Sequence, residues 1–224
     1  MQGEGATWGD SVGISPNADP RLQILLDLES PVGMRPNADR CVPLDTTHWC
    51  IGRTRNNECV WRILPRQAFA QVHHPAWLWL EDGWFDVLLR TRGPRPEMHT
   101  LAHQLQQAKA LQTTTGQNAR ILATAVSLLR HGERPLAIVF NEEQANLPGQ
   151  PLRWFCLALL TCLPPKMRAA LRVSTAEVAP NPEHWDLVFT TRRPEGFKCI
   201  AYSNEALRAN DPVAEFIVNA LHKN

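Results

Sequence analysis

The longest apolar pattern in the chain covers residues 152–163, where only Arg153 and Thr161 interrupt the hydrophobic side chains. A helix that is apolar on all sides lies in a protein core or in a membrane, and spanning a bilayer takes about 20 apolar residues. Pro164 and Pro165 end the pattern, because proline has no N–H to donate and disfavours helix at the residue before it. The pattern therefore predicts the central helix of a soluble core.

Short apolar runs separated by turn residues fill the first part of the chain. They predict a strand or one buried helical turn at residues 22–28, and strands at residues 49–52, 60–64, 69–72, 77–80 and 84–90. Residues 53–58 are the predicted turn between the second and third runs, and Glu81-Asp82-Gly83 is a hairpin signal. This succession of short strands predicts a β-rich layer.

Apolar positions recur at every third or fourth residue after residue 97, which is the period of a helix. They predict helices at residues 97–111 and 118–130, the second ended by His131 and Gly132. Further strands are predicted at residues 135–140, 173–175, 186–191 and 197–203. Asp211 and Pro212 suit the N-cap and first position of a last helix. Its predicted apolar face consists of Val213, Phe216, Ile217, Ala220 and Leu221.

These elements predict an α+β fold, with a β-rich N-terminal layer followed by an α/β part that has a helix-covered sheet. Residues 1–20 are rich in Gly, Ser, Asp and Pro and are expected to form a flexible lead-in. Glycine and proline break the pattern at residues 91–96. The chain therefore divides into a β-rich domain at residues 21–93 and an α/β domain at residues 97–224, built around the helix at residues 152–163.

Composition excludes some classes of partner. The 224 residues carry a net charge of +1, so the chain has no global field that would attract nucleic acid. Residues 1–10 lack the basic and apolar regions of a signal peptide, and none of the six cysteines forms a CxxC pair. We therefore expect a cytoplasmic protein with reduced thiols, no membrane insertion and no nucleic-acid partner.

Motifs for catalysis or cofactor binding are missing from the sequence, which contains no GxGxxG, GxxxxGK[ST] or GxSxG. We therefore predict no catalytic residue and no cofactor. A hydrolase that uses Glu142 or Glu143 with His73 or His74 stays open as an alternative, although adjacent glutamates in a polar loop are more often simply solvated. A metal site would have to combine His73 and His74 with His48 and Cys50, or use Asp86.

Three groups of polar residues are candidates for binding. Ligands of α/β sheets tend to lie beyond the carboxyl ends of strands, a position that selects residues 141–143, Ser174, Thr175 and residues 190–193. Arginine pairs well with phosphate or carboxylate, so Arg90, Arg92 and Arg95 could bind an acidic partner or form a solvated linker. Lys166, Arg168 and Arg172 follow the central helix and suit its C-terminal carbonyls.

Tryptophan is unusually common, with eight Trp against one Tyr. Trp clusters belong to a packed core or to a partner surface. Trp77, Trp79 and Trp84 are the candidates for a partner surface in this chain.

Residues 135–191 contain a run of sequence motifs in a fixed order. An apolar helix is followed by Leu163-Pro164-Pro165-Lys166-Met167-Arg168, then by Leu171-Arg172-Val173-Ser174-Thr175, and then by Trp185-Asp186-Leu187-Val188. This order resembles the middle module of bacterial GTPase-associated adaptor proteins, with Val173 where that family has an aromatic residue. The resemblance implies an accessory protein in a GTPase-containing system, and it implies no active site.

A second resemblance covers residues 22–96. Ile51-Gly52-Arg53, a turn with Asn56 and Asn57, and the run at residues 84–93 are similar to a forkhead-associated β-sandwich. That resemblance implies phosphothreonine binding by Arg53 and Asn56. Pro65-Arg66-Gln67-Ala68 stands where the family has its Ser and His.

The expected function is a non-enzymatic adaptor or scaffold subunit of a bacterial multi-protein assembly that includes a small GTPase or other proteins from the same operon. The expected partner-binding residues are Arg53, Asn56, Arg90, Arg92, Arg95, Trp77, Trp79 and Trp84. The alternatives are a phosphopeptide-binding module that uses Arg53, and a metal-dependent or acid/base hydrolase.

Overall fold

A computed structural model describes residues 38–55, 58–70, 73–80, 109–110, 117–140, 150–201 and 211–222. The strands in these residues are β1 (Asp39–Pro43), β2 (His48–Arg55), β3 (Glu58–Pro65), β4 (Leu136–Val139), β5 (Val173–Glu177), β6 (Leu187–Thr190) and β7 (Lys198–Ala201). Within the described part, they form one sheet in the order β3–β2–β1–β5–β6–β4–β7.

The sheet has an antiparallel half and a parallel half. β1, β2 and β3 are antiparallel to one another, whereas β5, β6, β4 and β7 are parallel. β1 joins the halves by pairing antiparallel with β5, with Arg40 opposite Ser174 and Cys41 opposite Val173. The predicted α+β class is therefore confirmed, and one sheet combines strands from both predicted parts. The predicted boundary at residues 91–96 lies outside the described residues.

Helices cover one face of this sheet. They are α1 (Gln117–Arg130), α2 (Gln150–Cys162), α3 (Pro165–Arg168) and α4 (Pro212–His222). α2 is the predicted central helix, and its residues 155–160 are all buried. Its Phe155 ring packs edge-on against Phe189 of β6, with ring centroids 6.2 Å apart. α1 packs beside α2, and α4 packs against α1.

The ends of two helices follow the predicted signals. Gly132 adopts a left-handed backbone with φ of 77° just after α1, and Gly132 N and Glu133 N donate to carbonyls of the last turn. At the start of α4, Val213 N donates to Asp211 Oδ1 at 2.9 Å, with Pro212 at the first helical position. Both predicted ends are confirmed.

The second face of the sheet carries a smaller apolar cluster that includes Val42, Cys50, Trp61 and Trp185. Trp61 lies opposite Gly52 in the β2–β3 pair. A Cβ atom at Gly52 would stand 2.6 Å from Trp61 Cε3, closer than real Cβ contacts come. Glycine at this position therefore allows the indole ring to lie flat against the strand.

Two predicted strands are wrong. Arg66–Phe69 is a short 3-10 helix, so Phe69 ends a 3-10 helix and does not begin the strand expected at residues 69–72, of which residues 71–72 lie outside the described part. Pro75–Leu80 is another short 3-10 helix, where a strand was expected at residues 77–80. Pro75 presets the helical φ angle, and Ala76 N donates to His74 Nδ1 at 3.2 Å, which caps the second of these helices. A short run that is apolar at every position has no period to distinguish helix from strand.

Other expectations differ in extent or lie outside the described residues. The predicted turn at residues 53–58 begins too early, because β2 continues to Arg55. The predicted elements at residues 22–28 and 81–90 fall outside the described part, as does the helix at residues 97–111 except for residues 109–110, which are helical. No helix among the described residues combines the length and the apolar character needed to cross a membrane.

The apolar face of α4 differs from the predicted one. Ala214, Ile217 and Leu221 are buried, whereas Phe216 is 71% exposed and Ala220 is exposed. Successive helical residues are rotated by 100°, so the buried arc centred on Ala214 and Leu221 leaves Phe216 on the opposite side. The prediction that placed Phe216 on the buried face is therefore wrong.

Candidate functional site

Buried ionisable side chains converge where β1 meets β5. On the helix-covered face, Asp39 accepts hydrogen bonds from Arg53 Nε at 2.8 Å and from Arg153 Nε at 2.7 Å. Asp39 is 1% exposed, and it stands opposite Arg53 in the β1–β2 pair. Arg153, which interrupts the apolar pattern of α2, therefore supplies the second guanidinium group to this carboxylate.

A second ion pair lies on the other face of the same two strands. Arg40 donates from Nε and Nη2 to the two Glu177 carboxylate oxygens, at 2.7 and 3.1 Å, and Ser174 Oγ donates to Glu177 Oε1 at 2.6 Å. An irregularity in the pairing of β5 between Ser174 and Glu177 brings both side chains to the face that Arg40 occupies.

Thr175 ties the backbones of the two strands together. Its Oγ1 accepts from Asp39 N at 2.9 Å and donates to Asp39 O at 3.3 Å. We call the whole group the seam network: Asp39, Arg40, Arg53, Arg153, Ser174, Thr175 and Glu177.

The chemistry of the seam network favours a structural role. Burial raises the pKa of Asp39, and the charges of Arg153 and Arg53 oppose that rise. Each carboxylate oxygen of Asp39 already accepts a guanidinium hydrogen bond, and Glu177 accepts from both Arg40 and Ser174. Carboxylates engaged in this way hold strands together. Before Asp39 or Glu177 could act as a base or bind a ligand, it would have to give up these hydrogen bonds.

The predicted phosphate-binding residue Arg53 belongs to this network. Its side chain is 11% exposed and is paired with Asp39. An incoming phosphate would therefore have to displace the Asp39 carboxylate. Seven other predicted polar or charged site residues lie outside the described residues: Asn56, Arg90, Arg92, Arg95, Asp86, Glu142 and Glu143.

Trp77 and Trp79 are fully buried in the core, within the second 3-10 helix. This helix packs against α2. The expected role of these two residues at a partner surface is therefore corrected to core packing, because contact with a partner would require both indole rings to leave the core. Trp84 lies outside the described residues.

The side chains of the hypothetical metal site do not converge. His48 Nδ1 lies 3.2 Å from Asp45 Oδ2. Trp49 packs against the ring of His74, so the next residue, Cys50, points to the opposite face of the sheet. In the described part of the chain, no three His, Cys, Asp or Glu side chains are arranged to hold a metal ion.

The buried thiols behave as small hydrophobic groups. Cys41 and Cys156 are free and fully buried, and burial raises the pKa of both. Burial also raises the pKa of Cys162 to about 11. A thiol is nucleophilic only as the thiolate, so these side chains are poor nucleophiles at neutral pH.

The basic residues after α2 hold the chain in place. Arg168 Nε donates to Leu163 O at 3.0 Å, which confirms the expected contact with the carbonyls at the end of the central helix. Arg172 instead binds Asp186, by its backbone N at 2.8 Å and its Nε at 3.2 Å. Lys166 is exposed. The motif residues Arg172 and Asp186 therefore join β5 to the start of β6.

His74 makes stability depend on pH. Burial lowers the pKa of His74 from 6.5 to about 3, and the positive charges of Arg168 and Arg66 act in the same direction. Below pH 6.5 the unfolded chain therefore binds a proton at this position that the folded chain does not bind, so stability falls as pH falls. We expect a loss of about 2 kcal/mol in the free energy of unfolding between pH 7.5 and 5.0, measured by urea denaturation.

Two variants test the origin of this loss. His74→Asn retains an acceptor for Ala76 N but cannot be protonated, so the loss should shrink by about 2 kcal/mol. His131→Asn makes the same substitution at an exposed histidine and serves as the control for removal of an imidazole ring. If His74→Asn loses as much stability as the wild type over this range, His74 is not the responsible group.

A groove between α1 and α4 was missed by the sequence analysis. It has a volume of about 370 Å³ and is lined by Arg120, Ala123, Thr124, Ala214, Glu215, Val218 and Asn219. Phe216 follows Glu215 in the chain and is exposed, but its side chain does not line this groove. A helical wheel centred on Ala214, Ile217 and Leu221 would have placed Phe216 outside the buried arc, but the sequence does not show which of the two possible arcs is buried.

A comparison with known proteins gives this chain no relative. No protein-family model matches it. The curated proteins and the solved structures likewise contain no match to it.

Proposed function

We propose that this chain is a non-enzymatic adaptor or scaffold subunit that contacts another protein through α1 and α4. The observation that carries the proposal is Phe216, the large hydrophobic side chain that is left exposed in the described part of the chain, at 71%. Aromatic residues are enriched at protein interfaces, because a rigid ring provides a large apolar contact area. Phe216 is exposed on α4 and can make such a contact, whereas Trp77 and Trp79 are buried in the core.

The seam network supports the same proposal. Buried Asp39 pairs with Arg53 and Arg153, and buried Arg40 pairs with Glu177, which accounts for the charges of these residues without a substrate. Arg172 and Asp186, from the motifs that resemble the adaptor family, likewise bind each other. These motif residues support the fold, and we infer that the contact surface lies elsewhere.

We place this adaptor in the cytoplasm, in a bacterial assembly that contains a GTPase. The resemblance of residues 135–191 to GTPase-associated adaptor proteins supports the type of assembly, and the free thiols of Cys41 and Cys156 suit a reducing compartment.

Photo-crosslinking in the native host tests the proposed surface. Phe216→p-benzoylphenylalanine places a photoreactive ring at the exposed position of α4, and the same substitution at Lys166, exposed on α3, is the matched control. We expect protein adducts of discrete mass from position 216 only, with the partner identified by mass spectrometry. Equal labelling at the two positions, or none at position 216, would overturn the proposal.

A further inference from the structure

We propose that the outer edge of β3 binds an extended apolar segment of a partner protein, which adds a strand to the antiparallel half of the sheet. β3 (Glu58–Pro65) is the last strand at this end of the sheet in the part of the chain that the structure describes. The inference goes beyond the proposed function, because it names a second contact site that uses main-chain hydrogen bonds and no residue of α1 or α4.

The pairing of β3 with β2 fixes the direction in which the backbone groups of β3 point. Arg66 N donates to Thr47 O at 2.8 Å, one step beyond the printed register of the two strands. In an antiparallel pair, residues that exchange hydrogen bonds alternate with residues whose backbone groups point away. The even-numbered residues of β3 therefore bind β2, and the N–H and C=O groups of Cys59, Trp61 and Ile63 point outward.

A hydrogen bond on the other side of β2 agrees with this phase. Thr54 N donates to Ala38 O at 3.0 Å, so the even-numbered residues of β2 bind the chain of β1 and the odd-numbered ones bind β3. Each odd-numbered residue of β2 stands opposite an even-numbered residue of β3. The outer edge thus presents a donor and an acceptor at every second residue, about 7 Å apart. An extended polypeptide offers matching groups at the same spacing.

The edge of β3 lacks the protection that edge strands usually have. Such strands are commonly short, bulged, or interrupted by charges or proline. β3 has eight residues, pairs with β2 without a register shift, and has its one proline at its last position. Arg62 is the one charge in residues 59–64. The strand at the opposite end of the sheet, β7, has four residues and begins with Lys198.

The side chains beside this edge define the chemistry of the partner segment. Val60 packs against the main core on the helix-covered face, Ile63 packs against the smaller cluster on the other face, and both are partly exposed. Successive residues of an added strand would contact these two faces in turn. A segment that is apolar at consecutive positions therefore fits the edge better than one that alternates apolar and polar residues.

A second copy of β3 fits the edge less well than a segment of another protein. Two-fold pairing that joins Trp61 and Ile63 of one copy to the same residues of the other would place the two Arg62 side chains opposite or diagonal to each other on one face. Like charges at such positions oppose strand pairing. We therefore assign the edge to a different protein.

A random-peptide library displayed on phage is the probe for this site. Selection on the immobilised full chain should enrich peptides that are apolar at consecutive positions, and synthetic copies should bind in a fluorescence-polarisation titration. Ile63→Pro removes an outward donor and no hydrogen bond to β2, so this variant should fold and bind the peptide about tenfold more weakly. Ile63→Val keeps the donor and should bind as the wild type does. Circular dichroism melts should show that both variants are folded.

N-methylation of the peptide tests the same geometry without any change to the protein. A methyl group on one peptide nitrogen removes one donor at that residue. Affinity should fall at every second peptide residue, because alternate residues of the added strand face β3 and solvent. Loss of affinity at every position, or at none, would overturn the strand pairing.

Other outcomes would also reject this inference. If no enriched peptide depends on Ile63, the edge of β3 is not the docking site. An enriched peptide that is insensitive to Ile63→Pro but lost with Phe216→Glu would support the proposed contact on α4 and overturn this one. If sedimentation velocity shows that the wild-type chain self-associates and that Ile63→Pro remains monomeric, the occupant is a second copy and the partner segment is rejected.

Discussion

Replacing Asp39 with alanine is expected to lower the free energy of unfolding by about 3–5 kcal/mol. The substitution removes the carboxylate that lies 2.8 Å from Arg53 Nε and 2.7 Å from Arg153 Nε, in a site where Asp39 is 1% exposed. The guanidinium groups then lose the carboxylate that offsets their desolvation. Urea denaturation at neutral pH, with the midpoint and slope fitted separately, measures the loss.

Two controls separate burial from simple charge removal. Glu133→Ala breaks the ion pair with Lys198, which has the same 2.7 Å length but joins two largely exposed side chains, and it should cost less than about 1 kcal/mol. Replacing Asp39, Arg53 and Arg153 together by leucine, leucine and methionine should recover most of the stability that Asp39→Ala loses. Equal losses for Asp39→Ala and Glu133→Ala would show that burial of the pair is not what matters.

Trp49→Ala is expected to destabilise the fold by about 3–5 kcal/mol, the range for truncating a buried aromatic side chain. Trp49 is 1% exposed and connects three elements. Its ring packs edge-on against His74 with centroids 4.9 Å apart, and Arg66 Cζ lies 4.6 Å from the ring centroid. Thermal and urea unfolding should both report the loss.

Conservative variants separate the parts of this loss. Trp49→Phe keeps an aromatic ring in the core and should cost clearly less than Trp49→Ala. Arg66→Met keeps an apolar stem over the ring but removes the cation–π contact and the hydrogen bonds to Ala169 O and His48 O, and we expect a loss of about 1–2 kcal/mol. A Trp49→Ala loss below about 1 kcal/mol would contradict the role of Trp49 in the core.

Local patterns in the sequence predict most of the described regular elements of this fold, but not β1 (Asp39–Pro43). The apolar run closed by Pro164 and Pro165 predicts α2, and the strand runs before and after it predict β2 to β7 to within a few residues. Residues 75–80 show where this approach fails. Every residue there apart from Pro75 is apolar, and a fully buried segment offers no polar face from which to read a period.

Long-range pairs explain what the sequence could not predict about the candidate site. Ser174 and Thr175 were selected because they lie at the end of a predicted strand, but Arg40 and Glu177 belong to no motif. In the sequence, Arg153 only interrupts the apolar pattern of α2. Its role becomes clear from its hydrogen bond to Asp39, which is 114 residues away. Phe216 was assigned to the wrong face because the choice between two arcs of α4 depends on α1.

The pairing of β1 with β5 also has a consequence for synthesis of the chain. Asp39 leaves the ribosome 136 residues before Thr175, the residue that its backbone binds. At usual translation speeds this interval is on the order of ten seconds. During that time β1 has no β5 to pair with, so the sheet of β1, β2 and β3 has an exposed edge at β1. An exposed strand edge can pair with other chains. A holding chaperone that recognises the emerging chain would be needed most in this interval, which ends when Glu177 emerges.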